Sequence, residues 1–163
     1  MHIRPMRQED VPAVALLEQT LFGDPWSETA FAECLTVASR INLVLVDDDG
    51  AVIGYVCAQC AADEMQIHNV AVAHHKQRRG GATLLLRAAE AEGRNRGALC
   101  AVLDVRVTND AALSLYTRLG YRRIGRRRDY YRHPICDALV LFKSLADEAS
   151  QSIPRELANG MVS

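Results

Sequence analysis

The sequence predicts a single domain of the α/β class with a mixed sheet, its elements in the order β-α-α-β-β-β-α-β-α-β-β. Stretches with helical spacing of apolar residues alternate along the chain with short β-branched runs. The 163 residues are 49% hydrophobic and 24% charged, which is the composition of a globular domain long enough to bury a core. No internal repeat or low-complexity stretch divides the chain.

Helical spacing and turn residues define the first half of the chain. Gln8-Glu9-Asp10 begins a first helix with apolar residues at Val11, Val14, Leu17 and Leu21, and Gly23-Asp24-Pro25 ends it. Ser27 is placed to cap a second helix that runs to about Ala38. Asp47-Asp48-Asp49-Gly50 forms a hairpin turn between two β-like runs. The strands predicted in this half cover residues 3–6, 41–46, 51–60 and 65–72.

Helices and strands alternate in the second half. A Leu- and Ala-rich helix is predicted over Gly80–Arg96, and Gly97 is its natural stop. Thr108 or Asn109 caps a further helix, which Gly120 closes. The strands predicted in this half cover residues 99–105, 121–127 and 136–142.

Charge and hydrophobicity limit the location and partners of the protein. A formal net charge of -1 gives no global attraction to nucleic acid or acidic membranes. The N-terminus lacks the pattern of a signal peptide, and no stretch approaches the roughly 18 apolar residues of a membrane span, so a cytoplasmic location is the default. We expect the folded domain to cover 1–145 and a tail, 146–163, to be a loose helix or disordered.

Five cysteines predict reduced thiols in the core rather than a disulfide framework. Cys57-Ala58-Gln59-Cys60 has the spacing of a redox or zinc pair, but it lies within a β-like run. Side chains three apart in a strand point to opposite faces, so we expect Cys57 and Cys60 to pack separately.

Basic residues cluster near the end of the chain, and two interpretations stay open. A charge run is usually a solvated surface. Alternatively, the cluster attracts an acidic partner or a phosphate-bearing ligand. The cluster contains Arg122, Arg123, Arg126, Arg127, Arg128 and Arg132.

The most informative segment connects the strand ending at Val72 to the helix beginning at Gly80. Helix N-termini expose unpaired N–H groups and partial positive charge, so a pyrophosphate can bind there, and Lys76, Arg78 and Arg79 add positive charge. The segment lacks the Gly-Lys-Ser/Thr of a nucleotide-triphosphate loop and the G-x-G-x-x-G of a dinucleotide fold. A glycine turn that only admits a helix is the alternative.

The run Gln77-Arg78-Arg79-Gly80-Gly81-Ala82 resembles the Q/R-x-x-G-x-G/A signature of the GNAT superfamily of N-acetyltransferases. Within that superfamily the chain is similar to the ribosomal-protein-alanine N-acetyltransferases (RimI-like), from about residue 10 to 142. The similar segments are Pro25-Trp26-Ser27-Glu28, Asn69-Val70-Ala71-Val72, Val105-Arg106-Val107-Thr108-Asn109-Asp110-Ala111-Ala112, Leu115-Tyr116, Leu119-Gly120-Tyr121 and Arg127-Arg128-Asp129-Tyr130-Tyr131.

This resemblance implies an acyltransferase with a GNAT-like domain that uses acetyl-CoA as donor and no metal. It implies a protein N-terminal α-amine as acceptor, and suggests ribosomal protein S18. Direct nucleic-acid and membrane partners are not expected, and the protein is expected to be a monomer or weak homodimer. The residues that the resemblance assigns to acetyl-CoA are Val70, Ala71, Val72, Arg78, Arg79, Gly80, Gly81, Ala82, Thr83 and Asn109.

The resemblance also assigns two catalytic roles. Tyr116 is expected to be the general acid at the departing sulfur, although its position also suits an ordinary buried tyrosine. Asp104 stands where RimI-like enzymes usually have glutamate as the general base, and it is one methylene shorter. A bridging water or another group can then take the proton. His68 is the alternative base, although alternation along the strand would place it on the face of Val70 and Val72, where it would only be packed.

Three aromatic residues, Trp26, Tyr130 and Tyr131, are expected to line the acceptor groove if the resemblance holds, or else to form a packed cluster. An α-amino group with a pKa of about 8 costs roughly 1.4 kcal/mol to deprotonate at pH 7, whereas lysine at about 10.4 costs roughly 4.6 kcal/mol. A short base therefore favours an N-terminal amine. Two alternatives remain: acetylation of a small-molecule amine, and a non-catalytic acetyl-CoA-binding module, which Asp104 motivates.

Overall fold

The β-branched runs pair into one mixed sheet in the computed structural model, which describes residues 1–146. Within this range the order of strands and α-helices is the one predicted. The strands are β1 His2–Pro5, β2 Arg40–Val46, β3 Val52–Ala61, β4 Glu64–Val72, β5 Cys100–Arg106, β6 Arg122–Arg132 and β7 Ile135–Ser144. The α-helices are α1 Val11–Leu21, α2 Glu28–Cys34, α3 Gly81–Asn95 and α4 Asp110–Arg118, and short 3-10 turns cover Gln8–Asp10 and His74–Lys76.

Two helices begin at side-chain caps. The Ser27 hydroxyl accepts a hydrogen bond from the backbone N–H of Ala30 at 3.1 Å, as predicted. Asn109 Oδ1 accepts from the N–H of Ala112 at 3.2 Å, which decides between the two candidate caps of α4. Each cap satisfies a donor that the first helical turn leaves unpaired.

Helix α2 ends at Cys34, four residues before the predicted end at Ala38. The Thr36 hydroxyl donates to the carbonyl of Glu33 at 2.7 Å, and the N–H of Leu35 bonds three residues back to Ala32. Thr36 and the residue after it are β-branched and favour helix weakly, so the last turn tightens and the chain enters β2.

The strand order is β1-β2-β3-β4-β5-β7-β6. Among the described residues β4 and β5 form the parallel pair, and the other neighbours are antiparallel. Helices cover both faces. Leu85 and Leu86 of α3 and Tyr116 of α4 pack on one face, which we call the α3–α4 face. Val14 of α1 and Phe31 of α2 pack on the other, the α1–α2 face.

The two cysteines of the C-x-x-C spacing pack on different faces, as predicted. Cys57 is buried in the core of the α1–α2 face, and Cys60 packs against the core of the α3–α4 face. Both are free thiols. The spacing therefore does not form a redox or metal pair in this structure.

The last two strands extend beyond their predicted ends. Strand β6 runs to Arg132 and β7 to Ser144, and Leu145 is 2% exposed and donates its N–H to the carbonyl of Leu99 at 2.8 Å. The predicted tail lies outside the described residues except for Ala146. Within residues 1–146, none of the helices combines the length and apolar character that crossing a bilayer requires.

Candidate active site

Strands β4 and β5 pair over only four residues of each strand before they separate. The register runs from Glu64 opposite Cys100 to Ile67 opposite Leu103, although both strands continue. A β-bulge on β4 opposite β3 inserts His68 as an extra residue, and bulges bend the strand that carries them. Beyond the pairing lies a space that we call the strand gap, bounded by residues 68–72 and 104–106.

The first unpaired residues, His68 and Asp104, lie at the narrow end of the strand gap. The prediction that His68 shares a face with Val70 and Val72 is wrong, because of the bulge. His68 packs its ring 6.1 Å from that of Trp26 on the α1–α2 face. Val70 and Val72 pack into the core of the α3–α4 face. Simple alternation placed all three on one face, and the extra residue at the bulge reverses it.

The wide end of the strand gap leads to the turn that opens α3. Arg78 and Gly80 adopt left-handed backbone, with φ of +62° and +83°. The N–H of Leu84 bonds to the carbonyl of Gly80 at 3.0 Å. Among the described residues no protein acceptor takes up the N–H groups of 78–83. Such a row of free donors with the positive end of a 15-residue helix suits a pyrophosphate.

Two contacts hold this turn on the sheet. The Gln77 side-chain amide donates to the carbonyl of Val72 at 2.9 Å, so it ties the turn to the end of β4. A Cβ on Gly81 would lie 2.8 Å from Cδ2 of the buried Leu45, so a larger residue would force Leu45 or the start of α3 to move. Lys76 lies 3.8 Å from a carboxylate oxygen of Asp47, which partly neutralises the charge that the sequence suggested for the turn.

Asp104 is the predicted base, and it is paired with an arginine of the basic cluster. Its Oδ1 accepts a hydrogen bond from Arg127 Nε at 3.1 Å, and its side chain is 12% exposed. The Arg127 guanidinium also lies over the ring of Tyr130, 5.8 Å from the centroid. Burial and, next, the charge of Asp104 raise the pKa of Tyr130. Sequence reasoning missed this pairing, because the partners are 23 residues apart.

His68 is the alternative base, and its imidazole is largely neutral at neutral pH. Burial, followed by the positive charge of Arg40, lowers its pKa, while Asp104 acts in the opposite direction. Its Nε2 is buried and has no hydrogen-bond partner within residues 1–146. A neutral imidazole with an unused nitrogen can accept a proton. The structure thus brings both candidate bases to the same end of the strand gap.

Tyr116, the predicted acid, is 7% exposed on the α3–α4 side. Burial raises the pKa of its hydroxyl, so this group keeps its proton at neutral pH. Its ring meets that of Tyr121 edge-on at 5.5 Å. The Tyr121 hydroxyl donates to Glu90 Oε1 at 2.9 Å, and Lys143 Nζ lies 2.8 Å from Glu90 Oε2. A partly buried ion pair therefore supports the ring that packs against Tyr116, a connection that the sequence did not indicate.

The three aromatic residues predicted to line the acceptor groove lie on two sides of the strand gap. Trp26 is half-buried between the rings of Phe31, at 5.6 Å, and His68. Tyr130 is 50% exposed, and its ring meets that of Tyr131 edge-on at 5.1 Å. Burial and the charge of Asp104 raise the pKa of Tyr131 to about 12. The two tyrosines thus lie beside Asp104, and Trp26 lies beside His68.

A bulge in β6 sets the position of the tyrosine pair. One residue of β7 lies between Cys136 and Ala138, but three residues of β6 lie between their partners Tyr131 and Arg127. Asp129 has φ of +50° within this bulge. Its N–H donates to Asp137 Oδ1 at 2.8 Å, and Arg126 Nε donates to Asp137 Oδ2 at 2.6 Å. Sequence reasoning did not identify Asp137.

The basic cluster forms an exposed strand, and half of it has partners within the domain. Arg126 and Arg127 pair with carboxylates, and Arg122 lies over the ring of Phe142 at 5.3 Å. This arrangement agrees with a solvated surface. Attraction of an acidic partner by the cluster stays a prediction. Within residues 1–146 there is no group of three or more His, Cys, Asp or Glu residues suited to a metal ion.

Comparison with known proteins identifies the family. The model of the Acetyltransferase (GNAT) family matches residues 11–121. The chain belongs to this family. This GNAT protein is therefore an enzyme, an N-acetyltransferase, as the signature around Gly80 predicted.

Its relatives are more specific. The enzyme is 37% identical to the ribosomal protein bS18-alanine N-acetyltransferase of Salmonella typhimurium, over 75% of this chain and 81% of the relative. The crystal structure of the Escherichia coli ribosomal-protein-S18-alanine N-acetyltransferase matches with a TM-score of 0.81 and 30% identity, over 90% and 96% of the two chains. A structure of Arabidopsis thaliana NAA60 in complex with acetyl-CoA matches with a TM-score of 0.79, over 88% and 97%, and at 17% identity shows the fold alone.

Proposed function

We propose that this enzyme transfers the acetyl group of acetyl-CoA to the N-terminal α-amine of a protein, and that ribosomal protein bS18 with an N-terminal alanine is its acceptor. The observation that carries the proposal is the separation of β4 from β5 at His68 and Asp104. The resulting strand gap leads from the proposed anion-binding turn at one end to the aromatic side chains of Trp26, Tyr130 and Tyr131 at the other. The names of the enzyme's relatives support the choice of acceptor.

The described residues fit acetyl-CoA as the donor. The free N–H groups of 78–83 would hold its pyrophosphate. Residues 70–72 pair with β3 but lie beyond the pairing with β5, so their backbone groups that point away from β3 and are not bonded by Gln77 are left for the amides of the pantetheine arm. Asn109 uses its Oδ1 to cap α4, and its side-chain N–H groups are left for the cofactor. Bound acetyl-CoA would supply an activated acyl thioester.

Proton removal from the acceptor amine is assigned to the narrow end of the strand gap. We assign the base role to Asp104, either directly or through a water molecule, because Arg127 holds its carboxylate in place. His68 is neutral and is the alternative acceptor of the proton. Deprotonation of an α-amine at pH 7 costs roughly 1.4 kcal/mol, against roughly 4.6 kcal/mol for lysine, so a short or water-mediated base suits an N-terminal acceptor.

Proton donation is assigned to Tyr116. Its hydroxyl is protonated at neutral pH, and the ring of Tyr121 packs against its ring. A hydrogen bond that strengthens as negative charge develops on the leaving atom lowers the barrier more than one of constant strength. The ion pair of Glu90 and Lys143 keeps Tyr121, and hence Tyr116, in register with the sheet.

Peptide acetylation tests the proposal. The full-length enzyme is incubated with acetyl-CoA and a bS18 N-terminal peptide beginning with alanine, and the acetylated position is read by tandem mass spectrometry. A matched peptide with a blocked N-terminus and an internal lysine is the control. We expect transfer to the free α-amine alone. Turnover of polyamines without peptide activity would instead support a small-amine enzyme, and acetyl-CoA binding without any transfer would support a binding module.

A further inference from the structure

An acidic residue occupies a core position of α1. The buried positions of this helix are Val11, Val14 and Glu18, at the i, i+3, i+7 spacing that defines one helical face. Glu18 is 2% exposed and lies beside the apolar core of the α1–α2 face. Burial raises the pKa of its carboxyl group. A carboxylate in such a place is costly unless hydrogen bonds compensate for the lost water.

Three donors from three separate segments reach this carboxyl group. Its Oε1 accepts from the backbone N–H of Trp26 at 3.2 Å and from Asn69 Nδ2 at 2.9 Å. Its Oε2 accepts from the hydroxyl of Tyr55. Trp26 belongs to the connection between α1 and α2, Asn69 to β4 and Tyr55 to β3. One side chain therefore links a loop to two strands of the sheet.

Two of these donors lie at the narrow end of the strand gap. Asn69 directly follows His68, the residue that the β4 bulge inserts. The ring of Trp26 is 6.1 Å from the ring of His68. Tyr55, in contrast, is completely buried in the core, and its ring packs edge-on against Phe31 at 5.6 Å. The Oε1 side of the carboxyl group thus faces the site, and the Oε2 side faces the core.

We propose that Glu18 is a positioning residue that holds Trp26 and Asn69 in place as one wall of the acceptor groove. This inference rests on the proposed function, in which Trp26 lines that groove. The connection between α1 and α2 contains Gly23 and Pro25 and has no helix or strand of its own, so the bond to the Trp26 N–H fixes it where it approaches β4. An apolar residue at position 18 would fill the core but leave three buried donors unpaired.

Three variants separate this role from core packing. Glu18→Leu removes all three bonds. Glu18→Gln can keep them, with its oxygen toward Trp26 and Asn69 and its amide donating to the Tyr55 oxygen. Tyr55→Phe is the matched control, because it removes only the bond on the core side. Folding of each variant is checked by circular dichroism and thermal unfolding.

Trp26 is the single tryptophan of the chain, so its fluorescence reports on the wall without any need for catalysis. In Glu18→Leu we expect a red-shifted emission, greater quenching by acrylamide and a KM for the acceptor peptide about tenfold higher. The KM for acetyl-CoA should change by less than about twofold, because its proposed contacts are elsewhere. Glu18→Gln and Tyr55→Phe should keep the wild-type fluorescence and acceptor KM.

The outcomes distinguish failure of the role inferred for Glu18 from failure of the proposed function. Wild-type fluorescence and acceptor KM in Glu18→Leu would overturn the inference, and so would an equal effect of Tyr55→Phe. If Glu18→Leu does not fold, Asn69→Ala replaces it, since it removes one tie and should shift the Trp26 signal in the same direction. If the wild-type enzyme acetylates no peptide, the proposed function fails, while the fluorescence still decides whether Glu18 holds Trp26.

Discussion

His68 and Asp104 are the first residues of β4 and β5 beyond their parallel pairing, and they lie opposite each other where the two strands separate. Asp104 is held by Arg127, whereas His68 Nε2 has no partner within residues 1–146. This arrangement gives the site one anchored carboxylate and one free imidazole. We therefore expect different changes in kcat when the Asp104 side chain and the His68 side chain are removed.

Asp104→Ala should lower kcat for an Ala-starting peptide by about 100-fold, the usual contribution of a general base. Asp104→Glu should keep or raise kcat, because the longer side chain reaches further into the strand gap. Steady-state kinetics at pH 7 measures both. His68→Ala is the comparison variant and should lower kcat by less than about fivefold. Full activity in Asp104→Ala with a large loss in His68→Ala would transfer the base role to His68.

Tyr116→Phe should lower kcat by about 100-fold while the affinity for acetyl-CoA stays nearly unchanged. The physical reason is that the hydroxyl acts only as charge develops on the leaving sulfur, and the ring that packs against Tyr121 is retained. Turnover kinetics and calorimetric titration with acetyl-CoA provide the two values. A parallel loss of affinity and turnover would show that Tyr116 only packs.

Gly81→Ala should weaken coenzyme A binding by about tenfold, because the added Cβ would lie 2.8 Å from Leu45 Cδ2 and push the start of α3 off the sheet. Gly97→Ala, at the other end of the helix, is the matched control. Its φ of +90° makes alanine strained there, and nothing lies near its Cβ, so it should cost about 1 kcal/mol of stability and leave binding intact. Isothermal calorimetry distinguishes them, and equal affinities would contradict the proposed pyrophosphate site.

Glu18→Gln should change how stability depends on pH. Burial raises the folded-state pKa of Glu18 above its ordinary 4.5, so its contribution is fully present below that pH and is lost as the pH rises through the folded-state pKa. The wild type should therefore lose stability relative to Glu18→Gln as the pH rises above about 4.5. Urea unfolding of both proteins across this range measures the difference. A constant difference would mean that the carboxyl group has the same pKa in both states.

A chain ending at residue 146 should fold with a free energy of unfolding within about 0.5 kcal/mol of the full-length value and acetylate peptides at the same rate. Leu145 is buried, and its carbonyl accepts from Arg94 Nε at 2.8 Å, so a chain ending at residue 146 keeps both of these contacts. Thermal and urea unfolding compare the two chains. A chain ending at residue 143, which lacks Leu145, is the control and should be less stable.

Local rules explain what the sequence predicted well. Helical spacing over Val11–Leu21, the cap at Ser27 and the glycine turn at Gly80 depend on residues within one or two turns of each other. The same holds for the family signature around Gly80, which is a run of six residues. Predicting the element order and the position of the proposed anion-binding turn therefore required no knowledge of the fold.

Contacts between distant segments explain what the sequence did not show. The bulge that moves His68 to the face of Trp26 depends on the register of β4 against β3. The pairing of Asp104 with Arg127 depends on the strand order β5-β7-β6 and on the register of these strands. Local spacing placed Leu17 and Leu21 in the core stripe of α1, but packing against the sheet buried Glu18 more completely.

The sequence by itself thus determined which elements form, in which order, and where the proposed anion-binding turn lies, because these features follow from backbone preferences over a few residues. Only the tertiary structure decided which side chains meet at the strand gap and which charges are compensated there. Strand register and buried partners depend on the packing of segments that are distant along the chain, and local preferences do not constrain that packing.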